Sequence, residues 1–184
     1  MILVLPAALQ GLAQQLSAME LMQVLKCTTN SCLHDKVVAK GFEPGVVKET
    51  EDYSLFVYNT NQTYRDDSTG TISQPTRLEQ NFTGQAYIVN LNYFTGGLAE
   101  RKALEAGLMQ HGFVPDTQGP RTAFDNVSTV YYNRHTRGMK LVITDHTRTI
   151  NDEPYMEYSF KLQWLPKPPR NWELNQTIAG NGTQ

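Results

Sequence analysis

The chain has 184 residues, of which 40% are hydrophobic and 18% charged, with a formal net charge of −2. That is enough apolar material for the core of one domain or two small ones. So small a charge gives no electrostatic basis for binding nucleic acid or an anionic membrane surface.

The first segment, Met1-Ile2-Leu3-Val4-Leu5-Pro6-Ala7-Ala8-Leu9, is apolar, and Gly11-Leu12-Ala13 precedes Gln14. A short apolar core with small residues at the third and first positions before a cut is what a signal peptidase reads. The run is well short of the roughly 20 residues needed to span a bilayer. Residues 1–13 are therefore expected to be the end of a signal peptide, with Gln14 as the mature start and a periplasmic or extracellular destination. One feature opposes this: the first basic residue is Lys26, so the usual positive lead is missing. The rival is a buried N-terminal helix, which Pro6 and Gly11 interrupt. No later run is long enough for a transmembrane helix, and no membrane span is expected.

Ser17-Ala18-Met19-Glu20 predicts a capping box opening a helix with Leu21, Met22 and Leu25 on one face. Thr28-Thr29-Asn30-Ser31 breaks it, and Leu33, Val37 and Val38 belong to a second short helix. The two cysteines, Cys27 and Cys32, flank that break. In an exported protein an even count favours a disulfide, which over so short a loop stabilises by about 2 kcal/mol. Two thiols at this spacing, without a second pair, are a weak zinc signal, and a redox pair more typically has two intervening residues.

Lys40-Gly41-Phe42 and His111-Gly112-Phe113 each place a Gly where a helix would end in a left-handed turn. Ahead of the second Gly, residues 98–110 predict a helix with Leu98, Leu104, Leu108 and Met109 inward and Arg101, Lys102 and Glu105 wet. After each Gly-Phe the period becomes alternating. Tyr53, Leu55 and Val57 predict one strand face, and Tyr87, Val89, Leu91 and Tyr93 another. Met139, Leu141 and Ile143 follow, and then Met156, Tyr158, Phe160, Leu162 and Trp164, against wet Glu157, Ser159, Lys161 and Gln163. Thr136-Arg137-Gly138 predicts a hairpin turn, 61–76 a long polar loop, and 166–184 a Pro-rich disordered tail.

The order is helices then strands, twice. It predicts an α+β fold with helices on one face of a mostly antiparallel sheet, in tandem units 14–96 and 97–165. On the Gly11-Leu12-Ala13-Gln14 export segment, the Cys27…Cys32 pair and the repeated Gly41-Phe42 and Gly112-Phe113, the chain resembles small exported proteins of Bacteroidetes-type bacteria. Over 16–165 its layout is also similar to the tandem-repeat β-lactamase inhibitor protein. That likeness of layout implies a binding role by analogy and carries over no functional residue.

Chemistry is sparse. The four histidines, His34, His111, His135 and His146, form no His-x-x-x-His pair. His111 before a helix-ending Gly suits the helix dipole. Asp145-His146, with His135 one hairpin away, is the one cluster that could make an acid–base pair or half a metal site, although neighbours in a strand face opposite ways. No nucleophile elbow, phosphate loop or dinucleotide fingerprint occurs, and no cofactor or metal is expected. Asp66-Asp67 and Asp152-Glu153 read as solvated turns. Five Asn-x-Ser/Thr sequons, at Asn61, Asn81, Asn126, Asn175 and Asn181, read as an Asn- and Thr-rich surface.

Two functions from different classes are consistent with this. The first is an exported, non-enzymatic domain binding a protein, peptide or envelope component on its sheet, with Tyr131, Tyr132, Tyr155 and Trp164 as the binding face. The alternative is a small hydrolase or metal-dependent enzyme using His135, Asp145 and His146.

Overall fold

The computed structural model describes residues 15–165, apart from 28, 51–52, 62–63, 67–70, 74–75, 84–87 and 125. The expected leader 1–13, the tail 166–184 and Tyr87 lie outside the described residues. The chain opens with the capping box: Ser17 N donates to Glu20 Oε2 at 2.8 Å, and Glu20 N donates to Ser17 Oγ at 3.3 Å. It starts helix α1, Ala18–Val24, with Ala18, Leu21 and Val24 buried. Helix α2, Asn30–Val37, is capped by Thr29, and a 3₁₀ turn, Val38–Lys40, leads to Gly41. Val38 falls in this turn and is exposed rather than on a helix face.

Cys27 and Cys32 are disulfide-bonded across the α1–α2 corner, with Cα atoms 5.5 Å apart. A second tie comes from the sheet. Gln80 Nε2 donates to the carbonyls of Val24 at 3.0 Å and Cys27 at 2.6 Å. The Val24 carbonyl also accepts from Cys27 N at 2.9 Å. The Cys27 carbonyl lies just past the helix end, and there a buried side chain supplies what water would supply at an exposed end. Gln80 Oε1 has no partner among the described residues.

The strands are β1 Glu43–Glu49, β2 Tyr53–Asn59, β3 Tyr64–Asp66, β4 Thr71–Ser73, β5 Arg77–Thr83 and β6 Ile88–Thr95. Helix α3, Leu98–Gln110, follows. Then come β7 Phe113–Pro115, β8 Arg121–Ala123, β9 Asn126–Asn133, β10 Met139–Ile150 and β11 Glu153–Trp164. Nine strands form one sheet in the order β1-β2-β5-β6-β11-β10-β9-β7, with β8 also on β9. Every pairing is antiparallel. With helices beside an antiparallel sheet, this is an α+β fold. The 61–76 loop is corrected: it contains the β3–β4 hairpin, a separate two-stranded sheet.

One sheet face carries the core with the helices: Phe56 and Tyr58, Leu78, Val89, Leu91 and Tyr93, Phe160 and Leu162, and Met139, Leu141 and Ile143. Phe42 and Phe113, directly after the two glycines, are each 1% exposed. Three facing assignments differ from expectation. In β2 the inward set is Phe56 and Tyr58, not Tyr53, Leu55 and Val57. That segment is apolar on both phases, and pairing Phe56 with Gln80 and Tyr58 with Leu78 selects the other one. In α3 Leu104 and Leu108 are buried, but Leu98 and Met109 are exposed and Glu100 is only 7% exposed. Its inward stripe runs at i, i+4, i+8 from Glu100. In β11 the expected wet residues Glu157 and Ser159 are buried as well as Tyr158, Phe160 and Leu162. The β3–β4 hairpin lies against β11, through β4.

Both edges of the sheet are irregular. β1 carries Pro44 and a register shift between Pro44 and Val47, and is exposed along its length. The opposite edge is broken into β7 and β8, with Pro115 closing one piece and Pro120 preceding the other.

Gln80→Leu keeps the volume but removes the side-chain donor from the Cys27 carbonyl and the second donor from that of Val24, and is expected to destabilise by about 2 kcal/mol. Urea unfolding measures this; a loss below about 0.5 kcal/mol would show the carbonyls do not depend on Gln80. Gly112 has φ +93°, and the His135 ring occupies the place of a Cβ there. Gly112→Ala is therefore expected to lose more than the roughly 1–2 kcal/mol of a left-handed alanine. Adding His135→Ala should recover the excess, and strictly additive losses would refute the clash.

Candidate functional site

The expected trio does not assemble. Asp145 and His146 are adjacent in β10 and face opposite ways. Asp145 faces α3, where its oxygens accept from Arg101 Nε at 3.1 Å and Nη2 at 3.4 Å. His135 sits in the turn after β9, its N–H donating to Asn133 Oδ1 at 2.9 Å. Asn126, opposite His146, opens β9 and Asn133 closes it. Seven strand steps, about 23 Å, thus separate His146 from the His135 turn. The structure therefore does not bring His135, Asp145 and His146 together at one place.

The expected aromatic face is divided too. Tyr131 pairs with Leu141, and Trp164 with Met139, on the helix side. Tyr132 pairs with Lys140 and Tyr155 with Arg148 on the outward side. Tyr131 is 4% and Tyr155 6% exposed, and Trp164 packs against the core. These four residues form no contiguous exposed patch, because strand alternation sends them to two faces.

On the helix side, Arg101 bridges Asp145 and Glu105, and Glu105 also accepts from the Tyr131 hydroxyl. Burial opposes the Arg101 charge, but the Asp145 hydrogen bond and the charges of Asp145 and Glu105 outweigh it and raise its pKa. Burial, then the bond to Glu105, pushes the Tyr131 phenol far above its ordinary value. Arg101 and Glu105, expected wet, instead fasten α3 to the sheet. Glu100 accepts hydrogen bonds from the hydroxyls of Tyr93 and Thr95, each at 2.5 Å, beside a groove of about 590 Å³ between α1 and α3.

The outward side holds a hydrogen-bond chain across three strands. His146 Nδ1 lies 3.0 Å from Asn126 Oδ1, and His146 Nε2 lies 2.9 Å from Ser159 Oγ. Beside it Ser128 and Thr144 share a hydroxyl bond of 2.9 Å, and Arg148 Nε lies 3.3 Å from Glu157 Oε1. Burial, then the Arg148 charge, lowers the His146 pKa, against the opposite pull of Glu157 and Asp145. Among the described residues no group of three His, Cys, Asp or Glu side chains could hold a metal ion.

The third feature is the β8–β9 turn. Ala123 pairs with Asn126, so 124 and 125 alone make the connection. Phe124 has φ +47° and is 97% exposed. The β10–β11 turn solves the same problem with Asn151 and Asp152, at φ 50° and 65°. Asn and Asp tolerate that region; an aromatic does not.

Sequence reasoning missed Ser159, Asn126, Phe124 and Glu100. Asn126 carried a sequon signal only, and the pairing of His146 with Ser159 needs a strand register that no local pattern encodes. Among the described residues no helix is long and apolar enough to cross a membrane. No protein-family model, curated protein or solved structure matches the chain.

Because folding lowers the His146 pKa, it favours the neutral ring. Its contribution to stability is present above the ordinary pKa of 6.5 and is lost as pH falls through the folded value. An NMR titration is expected to give a midpoint below 6.5. His146→Gln should flatten the stability profile between pH 6.5 and the lower folded midpoint. A midpoint above 6.5 would reverse the sign of this contribution.

Proposed function

We propose that the protein is an exported, non-enzymatic binding domain that holds a protein or peptide partner at one end of its sheet. The observation that carries this reading is Phe124, an aromatic ring 97% exposed on a turn whose backbone disfavours it. A residue that loses about 1–3 kcal/mol to backbone strain and buries nothing contributes nothing to folding. Strain of this kind concentrates where side chains act on partners. The β8–β9 and β10–β11 turns and the β2–β5 connection lie at the same end, beside Thr95 and Tyr158. Thr147 to Thr149 and Asn151 to Pro154 are exposed there.

Export is supported by the disulfide and by the reading of residues 1–13. We also read the chain as tandem units 14–96 and 97–165. In support, β1-β2-β5-β6 and β7-β9-β10-β11 run in mirrored order about the β6–β11 junction. Gly41 and Gly112, at φ 82° and 93°, each precede a buried Phe. The layout analogy with the tandem-repeat β-lactamase inhibitor protein agrees with a binding role.

Phe124→Gly separates this reading from a structural one. Glycine accepts the positive φ, so the variant is expected to gain about 1 kcal/mol in urea unfolding. Immobilised residues 14–184 should capture a stoichiometric partner from envelope extract, and the variant should lose it. A variant that unfolds more easily, or that captures as well as the parent, would overturn the proposal.

A further inference from the structure

Ser159 and Asn126, from the strands on either side of His146, meet its ring on the outward face at 2.9 Å from Nε2 and 3.0 Å from Nδ1. Ser159 is 9% exposed, and His146 and Asn126 are half-buried, so the hydroxyl is shielded from bulk water. Asn126 Oδ1 can only accept, so it fixes the proton on His146 Nδ1. Nε2 is then the bare nitrogen, and Ser159 Oγ–H donates to it. A hydroxyl on an imidazole whose other nitrogen is oriented by a third group is the arrangement that activates a serine nucleophile. We propose that Ser159 is an acyl-acceptor site, with His146 as its general base and Asn126 as the positioning residue, for a carboxylic ester. This goes beyond the binding proposal and does not rest on it.

The step balances within these groups. Ser159 Oγ attacks the ester carbonyl carbon while its proton passes to His146 Nε2. The carbon–alkoxide bond then breaks, and His146 returns the proton to the leaving alkoxide, giving an alcohol and acyl-Ser159. The backbone around Ser159 is committed to Phe94 on one side and Thr144 on the other. No pair of ladder amides is left there as an oxyanion hole, which elsewhere contributes about 10²–10³ in rate. Acylation is accordingly a single stoichiometric event per chain that leaves the acyl group on Ser159, which is compatible with a non-enzymatic domain.

The charged groups facing His146 are Arg148 on its own strand and Glu157 on β11, with Asp145 acting from the opposite face. The base works as the neutral ring, so reactivity should be level at neutral pH and fall only as pH drops through the folded His146 midpoint, which lies below 6.5.

The test treats residues 14–184 with a biotinylated fluorophosphonate, in which Oγ–P replaces P–F and fluoride leaves. One label per chain, mapped to Ser159 by peptide mass spectrometry, is expected. Ser159→Ala should abolish it, and His146→Gln should slow it at least about 100-fold. Asn126→Ala should slow labelling and distort its pH profile, whereas Asn126→Asp, which keeps the acceptor, should restore most of the rate. Circular dichroism checks that each variant is folded. Absence of label on the folded parent would overturn the proposal whatever the variants do. So would label spread over many hydroxyls, or a rate indifferent to His146.

Discussion

The antiparallel pairing of β6 with β11 is the contact on which the architecture depends. It sets Leu91 opposite Leu162 and Tyr93 opposite Phe160, all fully buried. It also joins the strands before α3 to those after it in one sheet, so neither set has its own closed edge there. Without it, β1-β2-β5-β6 and β11-β10-β9-β7 would each expose a long, apolar strand with an unpaired ladder. The helices then cover a single face, and that choice decides the chemistry of the other.

A sheet face not covered by helices must satisfy its own polar groups or leave them to water. Here it does so by cross-strand chains. Gln163 Nε2 donates to Asn90 Oδ1 at 3.0 Å, and Asn90 Nδ2 donates to Asn81 Oδ1 at 2.9 Å. Arg77 lies 4.1 Å over the Phe94 ring and ion-pairs with Glu79 at 3.0 Å. The Asn126, His146 and Ser159 chain is the same device, built from residues with reactive chemistry. Along β11, Tyr155, Glu157 and Ser159 are buried, so electrostatic effects on His146 are stronger than on an open sheet.

Much of the frame was legible because local rules act on few residues. The capping box needs only Ser17 and Glu20, and left-handed helix ends select Gly41 and Gly112. The alternation of Val89, Leu91 and Tyr93 and of Met139, Leu141 and Ile143 named the buried face correctly. The Cys27–Cys32 bond followed from count and spacing. Local rules stopped at β2, where Leu55, Phe56, Val57 and Tyr58 are apolar on both faces and only the partner strand chooses. They stopped also at Arg101 and Glu105, whose polarity suggested water although Asp145 and Tyr131 receive them. The site was least legible. Its residues are 13 and 20 positions from His146 in sequence, and a two-strand register brings them together.

The two irregular margins of the sheet constrain how copies of this protein can meet. A strand adds to a sheet only along a run of free N–H and C=O groups at regular spacing. Pro44 lacks an N–H, the shift between Pro44 and Val47 breaks the spacing, and Pro115 and Pro120 interrupt the other margin. Molecules meeting at these two margins therefore find only an interrupted backbone template in each other, although the sheet is eight strands wide. Association is left to side chains at turns and faces, where a single substitution can alter a contact without touching the ladder. The molecule is thus free to change what it meets while these two margins resist strand addition.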